Sequence, residues 1–353
     1  MELTVLVFLL GGLFLGWSLG ANDAANVFGT AVGTRMIRFK TAAIVCGIFV
    51  ILGAVISGAG TTETLSKLGS INALPGAFAA SIAAGLSVYL MTKIGLPVST
   101  TQAIVGAIVG WNIYTGSTTN IKVLITIIGT WVLCPIITGI IAIFFFTITK
   151  KFLRRSKLHL LRLDAYTRTA LLLAGAFGAY SLGANNIANV MGVFVPISPF
   201  TELNILDVLT LSSKGQLFLL GGIAIAVGVI TYSKKVMLTV GADLLRLTPV
   251  AAFIVVISHS IVLFLFASQG ISNFLHSINL PSIPLVPVSS SQAIVGAVIG
   301  IGLLKGGKEV KWDIASKIAV GWVVLPIIAA LISFATLFVL QNIFNQTVYF
   351  GIN

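Results

Sequence analysis

Stretches free of Asp, Glu, Lys and Arg, and close to membrane-spanning length, recur along the chain at 3–19, 41–59, 75–92, 123–149, 169–183, 216–232, 248–268, 285–304 and 318–341. A bilayer core takes about 20 apolar residues of helix, and without water in that core the backbone must satisfy itself within helices or a closed barrel. The pattern predicts an all-α polytopic membrane protein. Composition agrees: 57% of residues are apolar and 8% charged, against about 25% charged in soluble domains. The first stretch is preceded by Glu2 and no basic residue, so it reads as a retained helix rather than a secretory leader. Cys46 and Cys134 lie inside apolar stretches, where they suggest packing and neither a disulfide framework nor a metal site.

A net charge of +12 would suggest nucleic acid in a soluble chain, but here the placement of charge decides. KKFLRRSKLHLLRLDAYTR, at 150–168, carries seven basic residues and one acid. Beside a span, such a run marks a cytoplasmic linker. It separates two halves, 1–149 and 169–353, that repeat each other. SLGANDAANVFG at 18–29 returns as SLGANNIANVMG at 181–192, with nine of twelve positions identical. PVSTTQAIVGAIVG at 97–110 returns as PVSSSQAIVGAVIG at 287–300, and WVLCPII at 131–137 as WVVLPII at 322–328. The offsets leave about 27 extra residues in the second half, between its first two motifs.

Counting about five crossings per half outward from the linker puts 18 of the 21 Lys and Arg residues on the cytoplasmic side, with Lys67, Lys122 and Lys214 opposite. Both termini then fall outside the cytoplasm. An odd number of crossings makes the second repeat enter from the opposite face, the inverted-topology arrangement many secondary transporters build around a midplane site. Segments 96–110 and 286–300 are short, so each is a half-helix or one arm of a re-entrant hairpin, and the total falls between 10 and 12 membrane helices.

A carboxylate at mid-bilayer costs about 2.5–3.5 kcal/mol and faces the bundle interior or a water path. Asp23 is the one acid inside an apolar motif. With Asn22, Asn26 and flanking Gly20 and Gly29, it suggests a broken helix whose oxygens hold a hard cation. The second copy offers Asn185, Asn186 and Asn189, with Asn186 in the place of the aspartate. In the other motif, Pro97 and Pro287 precede Ser99-Thr100-Thr101 and Ser289-Ser290-Ser291. A proline followed by a capping serine starts a helix, and its free N–H groups beside three hydroxyls suit an anion. Since neither motif contains Arg or Lys, phosphate or sulfate fits better than a bulky organic anion.

Other signals point nowhere further. GLLKGGKE at 302–309 approaches a nucleotide-binding loop, but Glu309 stands where a magnesium-binding hydroxyl belongs, and the segment follows a helix. His259 sits in an apolar span and reads as a packed, hydrogen-bonded histidine rather than a proton relay. No nucleophile and base pair is visible, so the chain is not expected to be an enzyme or to need a cofactor.

GANDAANVFG with PVSTTQ, each duplicated, resembles the inorganic phosphate transporter (PiT) family of cation-coupled phosphate symporters over nearly the whole chain. The resemblance implies phosphate as substrate, sodium or in some members protons as the coupled ion, and a homodimer in the cytoplasmic membrane. It extends to GTTETLSKLG at 60–69 and KKVMLTVGADLLRLTP at 234–249, making Glu63, Thr64 and Thr239 secondary candidates. Two departures matter: Asn186 stands where the family usually has aspartate, and Gln102 and Gln292 stand where it often has histidine, which favours sodium over a proton relay. The expectation is sodium-coupled symport of phosphate by alternating access. Phosphate would lie between the two hydroxyl rows with Gln102 and Gln292, and sodium at Asn22, Asp23, Asn26, Asn185, Asn186 and Asn189. Proton-coupled phosphate or sulfate permeation is the alternative, and an anion channel a weaker one.

Overall fold

The computed structural model describes residues 3–156, 159–205, 209–243, 247–308 and 310–351. The first half contains α1 (Leu3–Gly33), α2 (Phe39–Ser57), α3 (Ala59–Ser66), α4 (Leu74–Lys93), α5 (Thr100–Thr115) and α6 (Ile121–Arg155). The second contains α7 (Leu160–Met191), α8 (Ser213–Tyr232), α9 (Lys234–Asp243), α10 (Pro249–Ala267), α11 (Gln269–Ser277), α12 (Ser290–Leu304) and α13 (Trp312–Asn342). Seven of the described helices are long and apolar enough to cross a membrane by length and composition. Adding α7, the counterpart of α1, and the short pair α5 and α12 gives five segments per half. The extra residues of the second half form two inserts. One, between α7 and α8, carries an antiparallel hairpin of Leu203–Ile205 with Leu209–Leu211; the other carries α11.

The halves are exchanged rather than side by side. α1 packs on α8, and in the same way α7 packs on α2; α5 lies along α13, and α12 along α6. Glycine makes these crossings possible. A Cβ on Gly106 would collide with the backbone of Pro326, and one on Gly296 with the backbone of Pro135. Gly20 meets Ile225 as Gly183 meets Val50. Small residues of this kind let membrane helices approach backbone to backbone. The repeated WVLCPII and WVVLPII motifs thus supply the prolines onto which the opposite half's short helix is pressed.

Inversion follows from contacts between the duplicated helices themselves. Gly12 and Gly16, early in α1, face Val190 near the end of α7, whereas Gly175 and Gly178 face Phe28 and Val27. Equivalent helices therefore run antiparallel, and the axis relating the halves lies across them. α6 and α13 are the least covered long helices, and they expose rows of apolar side chains such as Ile140, Phe144, Leu331 and Phe338. In a membrane protein that surface belongs to lipid.

Of the two devices expected at the motifs, broken helix or re-entrant segment, the structure uses the second. α1 and α7 run unbroken through residues 18–29 and 181–191, because Gly20 and Gly183 accommodate a neighbouring backbone and are not needed to bend their own. The chain re-enters instead after α4: residues 94–99 are non-helical and lead inward to the start of α5, and 278–289 do the same for α12. The basic stretch at 150–168 is mostly helical, divided between the end of α6 and the start of α7.

Candidate functional site

The two re-entrant segments end in the capped helices the prolines call for. Ser99 Oγ accepts from Gln102 N–H, and Ser289 Oγ from Gln292 N–H, each at 3.2 Å. What precedes each cap would leave backbone polar groups stranded in an apolar interior, at several kcal/mol apiece. The first asparagine of each signature prevents this. Asn22 Oδ1 accepts from Val98 N–H at 3.3 Å while its Nδ2 donates to Leu96 O and Thr92 Oγ1. Asn185 Oδ1 accepts from Val288 N–H at 2.9 Å, and its Nδ2 donates to Val286 O and Leu263 O. Both side chains, expected to hold sodium, here hold the re-entrant backbone.

The rest of each signature reaches across to the opposite half. Asn26 Nδ2 donates to Ser290 Oγ and Ser291 Oγ, both at 3.2 Å. Asn189 Nδ2 donates to Thr101 Oγ1 at 2.9 Å. Thr101 Oγ1 donates to Val288 O, and Ser291 Oγ to Val98 O. These crossed bonds bring the N-termini of α5 and α12 together, head to head, between α1 and α7. Thr100 Oγ1 donates to Asp23 Oδ2 at 3.4 Å. The counterpart Asn186 turns along its own helix, donating to Leu182 O and accepting from Asn189 Nδ2.

Every residue of both signatures and both hydroxyl rows is buried, with at most 3% exposure. The arrangement is closed to solvent, and carbonyl and carboxylate oxygens predominate among its unsatisfied atoms, beside Ser18 Oγ and His259 Nδ1. Asp23 Oδ1, Asn26 Oδ1, Asn189 Oδ1, Gln102 Oε1 and Gln292 Oε1 are buried oxygens without a donor. Buried acceptors are normally paired. A set of unpaired oxygens that includes a carboxylate is the donor chemistry a hard cation takes.

One residue read as packing takes part. His259 on α10 is fully buried, with Nε2 2.9 Å from Ser290 Oγ. Its only signal in the sequence is a lone imidazole in an apolar span. The secondary candidates lie elsewhere. Glu63 is exposed and ion-paired with Lys67 at 2.8 Å, and the hydrogen bond from Lys67 holds its carboxyl below the usual range. Thr64 Oγ1 donates to Leu285 O, tying α3 to the segment before α12. Thr239 falls on α9, but its side chain lies outside the described residues, as does Glu309.

A sequence profile described as the phosphate transporter family matches residues 19–166, 160–273 and 277–350. A provisionally named phosphate permease of Thermococcus kodakarensis is 28% identical over 94% of this chain and 97% of its own length. The sulfate permease CysP of Bacillus subtilis is 30% identical over 100% of this chain and 90% of its own. Among solved structures, one described as the sodium-dependent phosphate transporter superposes with a TM-score of 0.76 at 24% identity, covering 96% of this chain and 99% of that one. That likeness extends the described architecture to an experimentally determined fold.

Proposed function

We propose that this chain, which belongs to the phosphate transporter family, is a secondary transporter that carries inorganic phosphate together with sodium by alternating access. The observation that carries the reading is the meeting of the α5 and α12 N-termini. Two sets of free N–H groups and two rows of hydroxyls face one buried locus, which suits a small oxyanion. Phosphate is held by Ser99, Thr100, Thr101, Ser289, Ser290 and Ser291, with Asn26 and Asn189 fixing the hydroxyls they touch.

Sodium takes the unpaired oxygens of Asp23, Asn26, Asn189, Gln102 and Gln292. Asn22, Asn185 and Asn186 act through the backbone and side chains they hold. A bare anion cannot enter so apolar an interior. Sodium offsets its charge, and each net positive charge moved inward gains about 2.3 kcal/mol per 100 mV. Movement of one half's helices against the other then exposes the closed site to each face in turn. The short helices are suited to this because each is anchored in one half and packed on the other. The same reading places the linker in the cytoplasm, both termini outside the cell membrane, and the chain in a homodimer.

Sulfate is a second reading, favoured by the similarity to CysP. The match to the phosphate transporter family profile supports phosphate over it. Uptake of labelled phosphate into proteoliposomes under an imposed sodium gradient tests the proposal. We expect sodium-dependent accumulation that excess sulfate leaves intact. Accumulation driven equally well by a proton gradient without sodium overturns the coupling, and sulfate accumulation that phosphate fails to inhibit overturns the substrate.

A further inference from the structure

The basic residues at the end of α6 do more than mark a side of the membrane. Lys150, Lys151, Arg154 and Arg155 line a cavity of about 510 Å³ with Lys305, at the far end of α12. Phe146 and Leu304 form its apolar wall. Lys150 and Arg154 also border a second cleft, about 380 Å³, on the α10 side. Among the described residues none of the four α6 cations is in an ion pair.

The same helix carries an exposed apolar stripe. Ile140, Phe144, Ile148 and Phe152 recur every four residues on α6 and are each at least half exposed. They form one stripe along the helix, on a surface that faces lipid.

The repeat supplies an internal control. At the same joint on the opposite face, between α13 and α5, the equivalent positions are Gln341, Asn342, Asn345, Gln346 and Thr115. There Tyr114 packs edge-on against Phe334, with ring centroids 5.1 Å apart, and Asn342 Nδ2 donates to Tyr114 Oη at 3.4 Å. A rule that only orients the chain explains the sign of the charge on each face. It does not explain why five cations, four from α6 of one half and Lys305 from the other, line one cavity.

We propose that this cleft binds the phosphodiester headgroup of an anionic lipid, with an acyl chain along the Ile140–Phe152 stripe. Basic pockets beside membrane helices take such headgroups. Because α12 carries Ser290 and Ser291 at its other end, the bound lipid braces the outer end of a helix whose inner end faces the candidate site. Free inorganic phosphate shares the headgroup's chemistry but has no use for the stripe.

Native mass spectrometry of the full-length purified protein with phosphatidylglycerol or phosphatidylcholine tests this. We expect selective retention of phosphatidylglycerol, unaffected by millimolar inorganic phosphate. The double substitution K150Q/R154Q should weaken retention about thirtyfold, the equivalent of about 2 kcal/mol at about 1 kcal/mol per cation. K122Q/K214Q, on the other face, should leave it unchanged. Equal retention of both lipids, displacement by inorganic phosphate, or a K150Q/R154Q protein that holds the lipid as well as wild type overturns the proposal. The comparison of the two lipids on unmodified protein decides even if the double variant fails to fold.

Discussion

The two halves repeat each other almost bond for bond, yet Asp23 of the first half faces Thr100 across the site while Asn186 of the second folds back onto its own helix. The repeated parts are those that build the site: the asparagines that hold the re-entrant backbone, the capping serines, and the proline and glycine crossings. The unrepeated parts carry its charge. On the proposed function, the symmetric scaffold serves both faces of the membrane, and the single carboxylate sets how much positive charge the loaded site holds.

The largest expected effect comes from erasing that difference. Asp23→Asn makes both signatures neutral and should lower sodium-dependent uptake about a hundredfold or more, since an uncompensated buried charge costs about 3–5 kcal/mol. Asn186→Asp, the opposite exchange, should raise the number of sodium ions moved per phosphate, read from the shift in reversal potential. Unchanged coupling in both variants would break the comparison.

Next come the crossings, where the halves should respond alike. Gly106→Ala and Gly296→Ala each drive a Cβ into a proline backbone. Each should cost about 1–3 kcal/mol, seen as matching losses of thermal midpoint in detergent. A large loss in one and none in the other would show that the packing symmetry is not energetic.

The hydroxyls follow. Thr101→Val and Ser291→Ala remove equivalent partners of Asn189 and Asn26. Each loss frees one amide and one backbone carbonyl of the opposite hydroxyl segment and, at about 1.5 kcal/mol, should raise the phosphate KM about tenfold in either half. A loss for Ser290→Ala larger than for Thr100→Val would point to His259, which lies against Ser290 and whose place in the first half is taken by Ala84: Gly85 lies against Leu15 there as Ser260 lies against Gly178 in the second half.

The smallest effect belongs to Glu63, which has no part in the comparison. Its pKa is lowered in the folded protein, so any stability from its pairing with Lys67 is present above the ordinary carboxylate range and lost as pH falls through the lowered value. The pair is exposed, so Glu63→Gln should leave uptake and the midpoint at neutral pH unchanged. A midpoint that drops at pH 7 and recovers at pH 3 relative to wild type would show that water does not screen the pair.

Much of this was legible in the sequence, because duplication reports on geometry. Two copies of PVSTTQ predicted two capped helix starts, and an odd number of spans predicted that they face each other. The role of Asn22 was not legible. An amide beside a carboxylate looks like a ligand alone, and only the structure adds its bonds to the backbone of Leu96 and Val98. Nor was the continuity of α1: glycine marks both a bend and a close approach, and only the partner, Ile225 for Gly20, tells them apart. His259 escaped because a single imidazole carries no periodicity and, unlike the signatures, has no second copy.

The exchange of helices between halves also sets a schedule for biogenesis. α1 leaves the ribosome first, yet its neighbour α8 begins at Ser213. At about 5–20 residues per second, it must wait on the order of ten to forty seconds for that partner. When α8 begins, Asp23 has the re-entrant segment of its own half and α7 already made beside it, but not yet α12. The uncharged run from Leu3 to Trp17 therefore has a task that ends before transport begins: holding an acidic helix in the bilayer until the rest of its binding site has been made.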